Sequence, residues 1–172
     1  MSSHITLVLG GARSGKSRYA EALVTSSRPA PWVYVATAEA LDPEMVERIA
    51  RHRSDRTLGW TTVEEPLDLT GVLERYAVPG ATVLVDCLTM WLCNLLGAGM
   101  DVEWATMALE STLAAVPGNV VLVTNELGLG IVPDNPMARA FRDHAGRLNQ
   151  KVAERASKVV LMVAGLPLVV KG

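Results

Sequence analysis

Gly10-Gly11-Ala12-Arg13-Ser14-Gly15-Lys16-Ser17 is the stretch that decides the fold. Residues 5–9 before it are apolar, and residues 18–24 after it carry a helical pattern. Strand, glycine loop and helix, with the spacing G-x-x-x-x-G-K-S, describe a phosphate-binding P-loop. The physical reason is direct. Glycines let the backbone curl so that successive N–H groups point inward at phosphate oxygens. The new helix adds its positive N-terminal end. Lys16 reaches the β- and γ-phosphates, and the Ser17 hydroxyl ligates Mg²⁺. A glycine-rich turn that binds nothing is the bland alternative, and the strand-before, helix-after context weighs against it. The loop leaves open which nucleotide binds and what is done to it.

Outward from the loop, strands and helices alternate. Residues 32–37 (WVYVAT) read as a buried second strand whose carboxyl end carries Thr37, Ala38 and Glu39. In open α/β sheets that end is where ligands sit. Asp42-Pro43-Glu44 is a helix start, with Asp42 as cap and Pro43 at the first helical position. The helix runs on towards Asp55. Residues 59–64 (GWTTVE) form a shorter, more polar strand that suits a sheet edge. Residues 67–76 read as helix, and residues 81–85 as a β-branched strand closed by Asp86. An apolar strand ending in an acid, downstream of a P-loop, is the Walker-B pattern, in which the carboxylate holds Mg²⁺ directly or through water.

Residues 88–96 are apolar and read as a buried helix, with Cys87 and Cys93 as small core residues. Asp101 caps a helix to about residue 115, in which Trp104, Met107, Ala108 and Leu113 are expected to pack inward. Residues 120–124 make another buried strand, which empties into the glycine-containing loop 125–133. That loop is either a plain connection or part of the ligand face. Pro136 opens a long helix in which Asp143 and Arg147 are spaced for an i, i+4 pair. Residues 158–163 and 168–171 read as two closing strands. The link between them is too short for a helical crossover, so they pair antiparallel. The expected fold is a mostly parallel, three-layer α/β sheet, formed as a single domain over residues 1–172.

Composition narrows the partners. The 172 residues are 49% hydrophobic and 20% charged, with a formal net charge of −2. That balance argues against nucleic acid and anionic membranes. Two cysteines fit neither a disulfide framework nor a zinc pattern, and suit a reducing cytoplasm. Gly165 and Pro167 interrupt the longest late apolar run, so no membrane span is expected.

His52 stands between Arg51 and Arg53, with Arg48 and Arg56 a turn to either side. A solvated basic helix end accounts for the arginines. Guanidinium forks also match phosphate oxygens. Neighbouring cations keep an imidazole neutral, and a neutral imidazole is a nucleophile that attacks phosphorus to give a phosphoramidate. His4 and His144 lack such a setting and are assigned surface or structural roles.

Together these pieces resemble the bifunctional adenosylcobinamide kinase / adenosylcobinamide-phosphate guanylyltransferase family of cobalamin biosynthesis. The resemblance rests on GGARSGKS at 10–17, YVATA at 34–38, RIARHR at 48–53, Trp60 with Glu64, VDCLTMWLCNLL at 85–96, VTNELGLGIVP at 123–133, FRDHAGRLNQ at 141–150 and AGLPLVVKG at 164–172. It implies a RecA-like P-loop fold, a homotrimer and two reactions. ATP or GTP phosphorylates the aminopropanol hydroxyl of adenosylcobinamide. GTP then donates GMP to adenosylcobinamide phosphate, releasing pyrophosphate. The family's guanylylated histidine matches His52, with Lys16 beside it in catalysis. Its nucleotide contacts match residues 10–17, Thr37, Ala38, Glu39, Arg53, Ser54, Asp55, Arg56, Glu64 and Asp86, with Ser17 and Asp86 at the metal. Family members often carry two adjacent histidines where this chain has Arg51-His52, and some carry Glu in place of Asp86. Two rivals keep the P-loop without this chemistry. One is a kinase of another small molecule with no nucleotidyl transfer, and the other is a non-catalytic GTP-switched binding module.

Overall fold

The computed structural model describes residues 4–39 and 58–172. The first strand, β1 (Ile5–Gly10), runs into the glycine loop and then α1 (Lys16–Ser27). Two strands follow, β2 (Trp32–Ala36) and β3 (Trp60–Glu64). Next come α2 (Leu69–Tyr76), β4 (Thr82–Asp86), α3 (Leu88–Gly97), α4 (Val102–Ala115) and β5 (Asn119–Asn125). The long helix α5 (Pro136–Arg155) leads to β6 (Lys158–Val163) and β7 (Leu166–Lys171). The helix expected after Asp42, with His52 and its arginines, lies outside the described residues.

The strands form one seven-stranded sheet in the order β3-β2-β4-β5-β1-β6-β7. Every pairing is parallel except β6 with β7. The parallel register is continuous through the centre, with Leu7 opposite both Leu122 and Val159. β3 is an edge strand, as its polar sequence predicts. β7 is the other edge and is exposed along its whole length. It begins two residues earlier than the sequence reading placed it, so Pro167 sits inside an edge strand, where a missing N–H is tolerated.

Alternation along the strands sends side chains to two cores. Leu7, Val35, Val83, Val85 and Leu122 face one, against α2, α3, α4 and α5. Val8, Tyr34, Leu84, Val121 and Val123 face the other, with Ala20 and Val24 of α1. Layers of helix on both faces of a mostly parallel sheet are the expected three-layer α/β architecture.

The helix starts have chemical causes. The Asp68 carboxylate accepts from Gly71 N (3.0 Å), Asp101 from Glu103 N and Trp104 N (3.0 Å each), and Asn135 Oδ1 from Met137 N (2.8 Å). Pro136 occupies the first turn of α5, as its fixed φ favours.

Three surface expectations change. Cys93 is exposed, and so are Trp104 and Met107. On α4 the inward stripe is Val102, Ala105, Leu109 and Leu113, which leaves Trp104 and Met107 on the outer side. Arg147 reaches Glu103 on α4 (3.9 Å) in place of its helical neighbour Asp143. Among the described residues no helix is long and apolar enough to cross a membrane.

Candidate functional site

Parallel strands bring their carboxyl ends to one edge of the sheet. Gly10, Glu64, Asp86 and Asn125 each close a strand there, and Thr37 to Glu39 follow β2. Register keeps them adjacent, with Ala36 opposite both Glu64 and Asp86, and Gly10 opposite Asn125. Sites named from distant parts of the sequence therefore meet at one rim.

The glycine loop is tightly built. A Cβ on Gly10 would lie 2.7 Å from the Met162 carbonyl oxygen and 2.7 Å from Ser14 Oγ, so no side chain fits. Gly15 takes φ 93° and Arg13 φ 55°, curling the backbone into the left-handed region. The buried Lys16 donates from Nζ to Gly11 O (2.7 Å), folding the ammonium across the loop. α1 begins at Lys16 with no side chain capping it and no acid in its first turn. Its first N–H groups thus lack the usual side-chain acceptor, which is the state a phosphate completes. Ser14 Oγ is buried without a hydrogen-bond partner among the described residues. An anion seated in the loop gives that hydroxyl an acceptor.

The carboxyl ends of β2 and β4 are tied together. The Tyr34 hydroxyl donates to Asp86 Oδ2 (3.0 Å). Thr37 Oγ1 donates to Cys87 O (2.7 Å) and accepts from Cys87 N (2.8 Å), and Thr37 N donates to Asp86 O (3.3 Å). Asn94 of α3 holds Thr37 O (2.7 Å) and Pro66 O (3.1 Å) through its amide. Thr37 is fully buried, and its hydroxyl serves to fix the Asp86–Cys87 segment. Burial pushes the Cys87 thiol up to about 11, with the Asp86 charge adding to it and the Lys16 charge partly offsetting. Cys87 is therefore a neutral thiol at neutral pH and not a nucleophile.

Ser17 lies in the first turn of α1, Asp86 closes β4, and both are partly buried. Among the described residues no group of three or more His, Cys, Asp and Glu forms a metal cage. One hydroxyl and one carboxylate suit Mg²⁺, which keeps water and substrate phosphates as most of its ligands. The donor set therefore fits the ion. Glu39 and Glu64 are exposed at the same rim. His52, Arg53, Ser54, Asp55 and Arg56 lie outside the described residues.

Sequence reasoning missed a polar brace behind the rim. Thr124 donates to Asn149 Oδ1 (2.9 Å), and Asn149 Nδ2 donates to Asn125 O (3.1 Å). Asn125 N donates to Thr89 Oγ1 (2.8 Å), and Glu126 N donates to Gly10 O (3.0 Å). A helix thus grips the end of β5, which in turn grips the glycine loop. On the other flank Gly165 N donates to Ser14 O (3.0 Å), so the β6–β7 turn braces the loop as well. The available signal was Tyr34, a polar group inside the apolar run of β2; Asn149 stands in the polar sequence Arg147-Leu148-Asn149-Gln150-Lys151, where nothing sets it apart. Buried polar groups need partners, and those partners are distant in sequence.

Comparison with known proteins agrees with this geometry. The family described as cobinamide kinase / cobinamide phosphate guanyltransferase (CobU) matches residues 6–170. The bifunctional adenosylcobalamin biosynthesis protein CobP of Pseudomonas aeruginosa is 49% identical over 168 residues, covering 96% of each chain. The CobU proteins of Escherichia coli and Salmonella typhimurium are 43% and 41% identical, each match covering 96% of this chain and 98% of theirs. A solved structure from Pyrococcus horikoshii OT3 shares the fold at 11% identity, with a TM-score of 0.56 over 100% of this chain and 88% of that one. Near full-length similarity, together with the P-loop at the rim of the sheet, leads to one conclusion: the chain belongs to the cobinamide kinase / cobinamide phosphate guanyltransferase family.

Proposed function

We propose that this protein phosphorylates adenosylcobinamide with ATP or GTP, then transfers GMP from GTP to adenosylcobinamide phosphate. The observation that carries the reading is the braced glycine loop of a family member, with its uncapped helix start and partnerless Ser14 hydroxyl. The loop residues Gly10, Gly11, Ala12, Arg13, Ser14 and Gly15 wrap the triphosphate, and Lys16 turns from Gly11 O to the phosphates. Ala38, Glu39 and Glu64 line the nucleotide from the neighbouring strand ends, with Thr37 holding that rim in place. Ser17 and Asp86 would hold Mg²⁺, which supplies charge neutralisation on the phosphates when bound. Tyr34 fixes the Asp86 carboxylate for this purpose.

In the transfer half, His52 attacks the α-phosphorus of GTP. A nitrogen–phosphorus bond forms, and the bond to pyrophosphate breaks. An oxygen of adenosylcobinamide phosphate then attacks the guanylyl group, and His52 leaves. Arg53 and Arg56 neutralise the charge that builds on the phosphate, with Ser54 and Asp55 at the nucleotide. Two displacements at phosphorus give retained configuration. In the kinase half, positioning and charge stabilisation by Lys16 supply most of the effect.

The protein acts as a cytoplasmic homotrimer of single-domain subunits. The open edge of β7, with Leu166, Leu168 and Val170 exposed, supports self-association. Incubation with α-³²P-GTP followed by denaturation tests the covalent step. Wild-type protein retains acid-labile, base-stable label, and His52→Ala retains none. Equal labelling of the two proteins would sink the mechanism.

A further inference from the structure

From the loop after β5 into the first turn of α5 the chain exposes four large apolar side chains within nine residues. Leu129 is 86% exposed, Ile131 96%, Val132 56% and Met137 76%. Such a display is costly in water unless something covers it. The segment is also held in shape. Its near end is fixed by Glu126 N to Gly10 O (3.0 Å), and the Glu126 carboxylate accepts from Gly128 N. Leu127 turns inward against the main core. At the far end Arg139 donates to Pro133 O (2.9 Å) and Asp134 O (2.7 Å), and Asn135 caps α5. Both ends of the segment are tied by hydrogen bonds while the large apolar side chains between them are exposed.

We propose that this loop is the docking platform for the apolar flank of the acceptor, a large corrinoid macrocycle. The inference rests on the function proposed above and deepens it by placing the second substrate. Two observations select the occupant. The loop leaves β5 at a hydrogen bond from Glu126 to Gly10, the first residue of the phosphate loop, so it starts from the same rim of the sheet. A nucleotide is polar and multiply charged and gains little from four apolar side chains. A corrin ring, with methyl groups and hydrocarbon edges between its amide arms, gains from each of them.

The test uses the full-length protein with Leu129→Ser, Ile131→Ser and the double variant, and Ile131→Val as a conservative control. Binding of adenosylcobinamide is followed by its visible absorbance, GTP affinity by a fluorescent analogue, and mass by light scattering. Each serine substitution is expected to raise KM and Kd for adenosylcobinamide about 10-fold, and the pair about 100-fold. Affinity for GTP, kcat at saturating acceptor and mass stay unchanged, and Ile131→Val shifts KM about 3-fold or less. Wild-type turnover of adenosylcobinamide with unchanged KM in the double variant overturns the docking role alone. A changed mass with unchanged KM overturns it too and assigns the patch to a contact between copies. Absence of both binding and turnover in the wild-type protein overturns the proposed function along with it.

Discussion

One face of the sheet is roofed by four helices, and the other, among the described residues, by α1 alone. The roofed face gathers Leu7, Val83, Val85 and Leu122 beneath Leu73, Leu92, Leu109 and Leu148, all nearly inaccessible. The thinner face holds Val8, Leu84 and Val123 under Ala20 and Val24, and it also carries Trp32 and Tyr34. Trp32 and Tyr34 pack on Trp60, with ring centroids 5.3 Å and 5.9 Å away. Tyr34 then reaches Asp86, and α1 begins at the phosphate loop. Most of the buried aliphatic surface lies on one side of the strands, whereas the rim is braced from both, by Tyr34 on the thinner face and by Asn94, Thr89 and Asn149 from helices of the roofed one.

The sharpest way to break this division is Lys16→Ala. Turnover in both half-reactions should fall about a thousandfold, roughly 4 kcal/mol of transition-state stabilisation. Unfolding free energy should move by less than ~1 kcal/mol. A large loss of stability would place Lys16 in the scaffold. Next come two fully buried leucines on adjacent central strands, one for each face. Leu122→Ala, under the thick roof, is expected to cost about 3.5 kcal/mol, and Leu84→Ala, on the thinner side, about 2.5 kcal/mol by urea unfolding. Equal costs would remove the mechanical half of the distinction.

A smaller effect sharpens the functional half. Tyr34→Phe deletes one hydroxyl and one hydrogen bond to Asp86. It should lower turnover about tenfold, near 1.4 kcal/mol, and shift the Mg²⁺ dependence to higher concentration. An unchanged magnesium titration would assign Tyr34 to packing alone. The two thiols give a test of a different kind. Cys87 has its pKa raised from 9.0 to about 11. Its protonated form therefore favours the folded state, fully below pH 9 and progressively less as pH climbs to 11. Cys87→Ala should flatten stability across that window. At pH 8 exposed Cys93 should alkylate first, as read by mass spectrometry of the digested protein.

The sequence made the strands legible because β-branched runs such as residues 83–85 alternate between two buried faces. It made helix starts legible at Asp101, because a capping side chain acts within three residues, and at Pro136, because a fixed φ suits the first turn, whereas the caps Asp68 and Asn135 went unread. What stayed hidden depends on neighbours across the fold. The apolar stretch around α3 and α4 offers more hydrophobic residues than one face buries, so Cys93, Trp104 and Met107 were misassigned to the interior. Arg147 chose Glu103 because α4 packs alongside α5, which spacing on a single helix does not reveal. The glycine loop and Asp86 were readable at the site, since their motifs are local. Tyr34, Asn94 and Asn149 were not, because each acts on a residue from another strand or helix.

The hydrogen bond from Gly165 to Ser14 also bears on how the chain is made. The phosphate loop leaves the ribosome well ahead of its partners. The strand β6 that pairs with β1, and the turn that braces Ser14, follow some 150 residues later. Throughout synthesis the loop exists without one of its walls. Nucleotide therefore meets a finished cradle only after nearly the whole sheet has emerged. A ribosome-bound chain halted before residue 158 should remain unable to retain GTP.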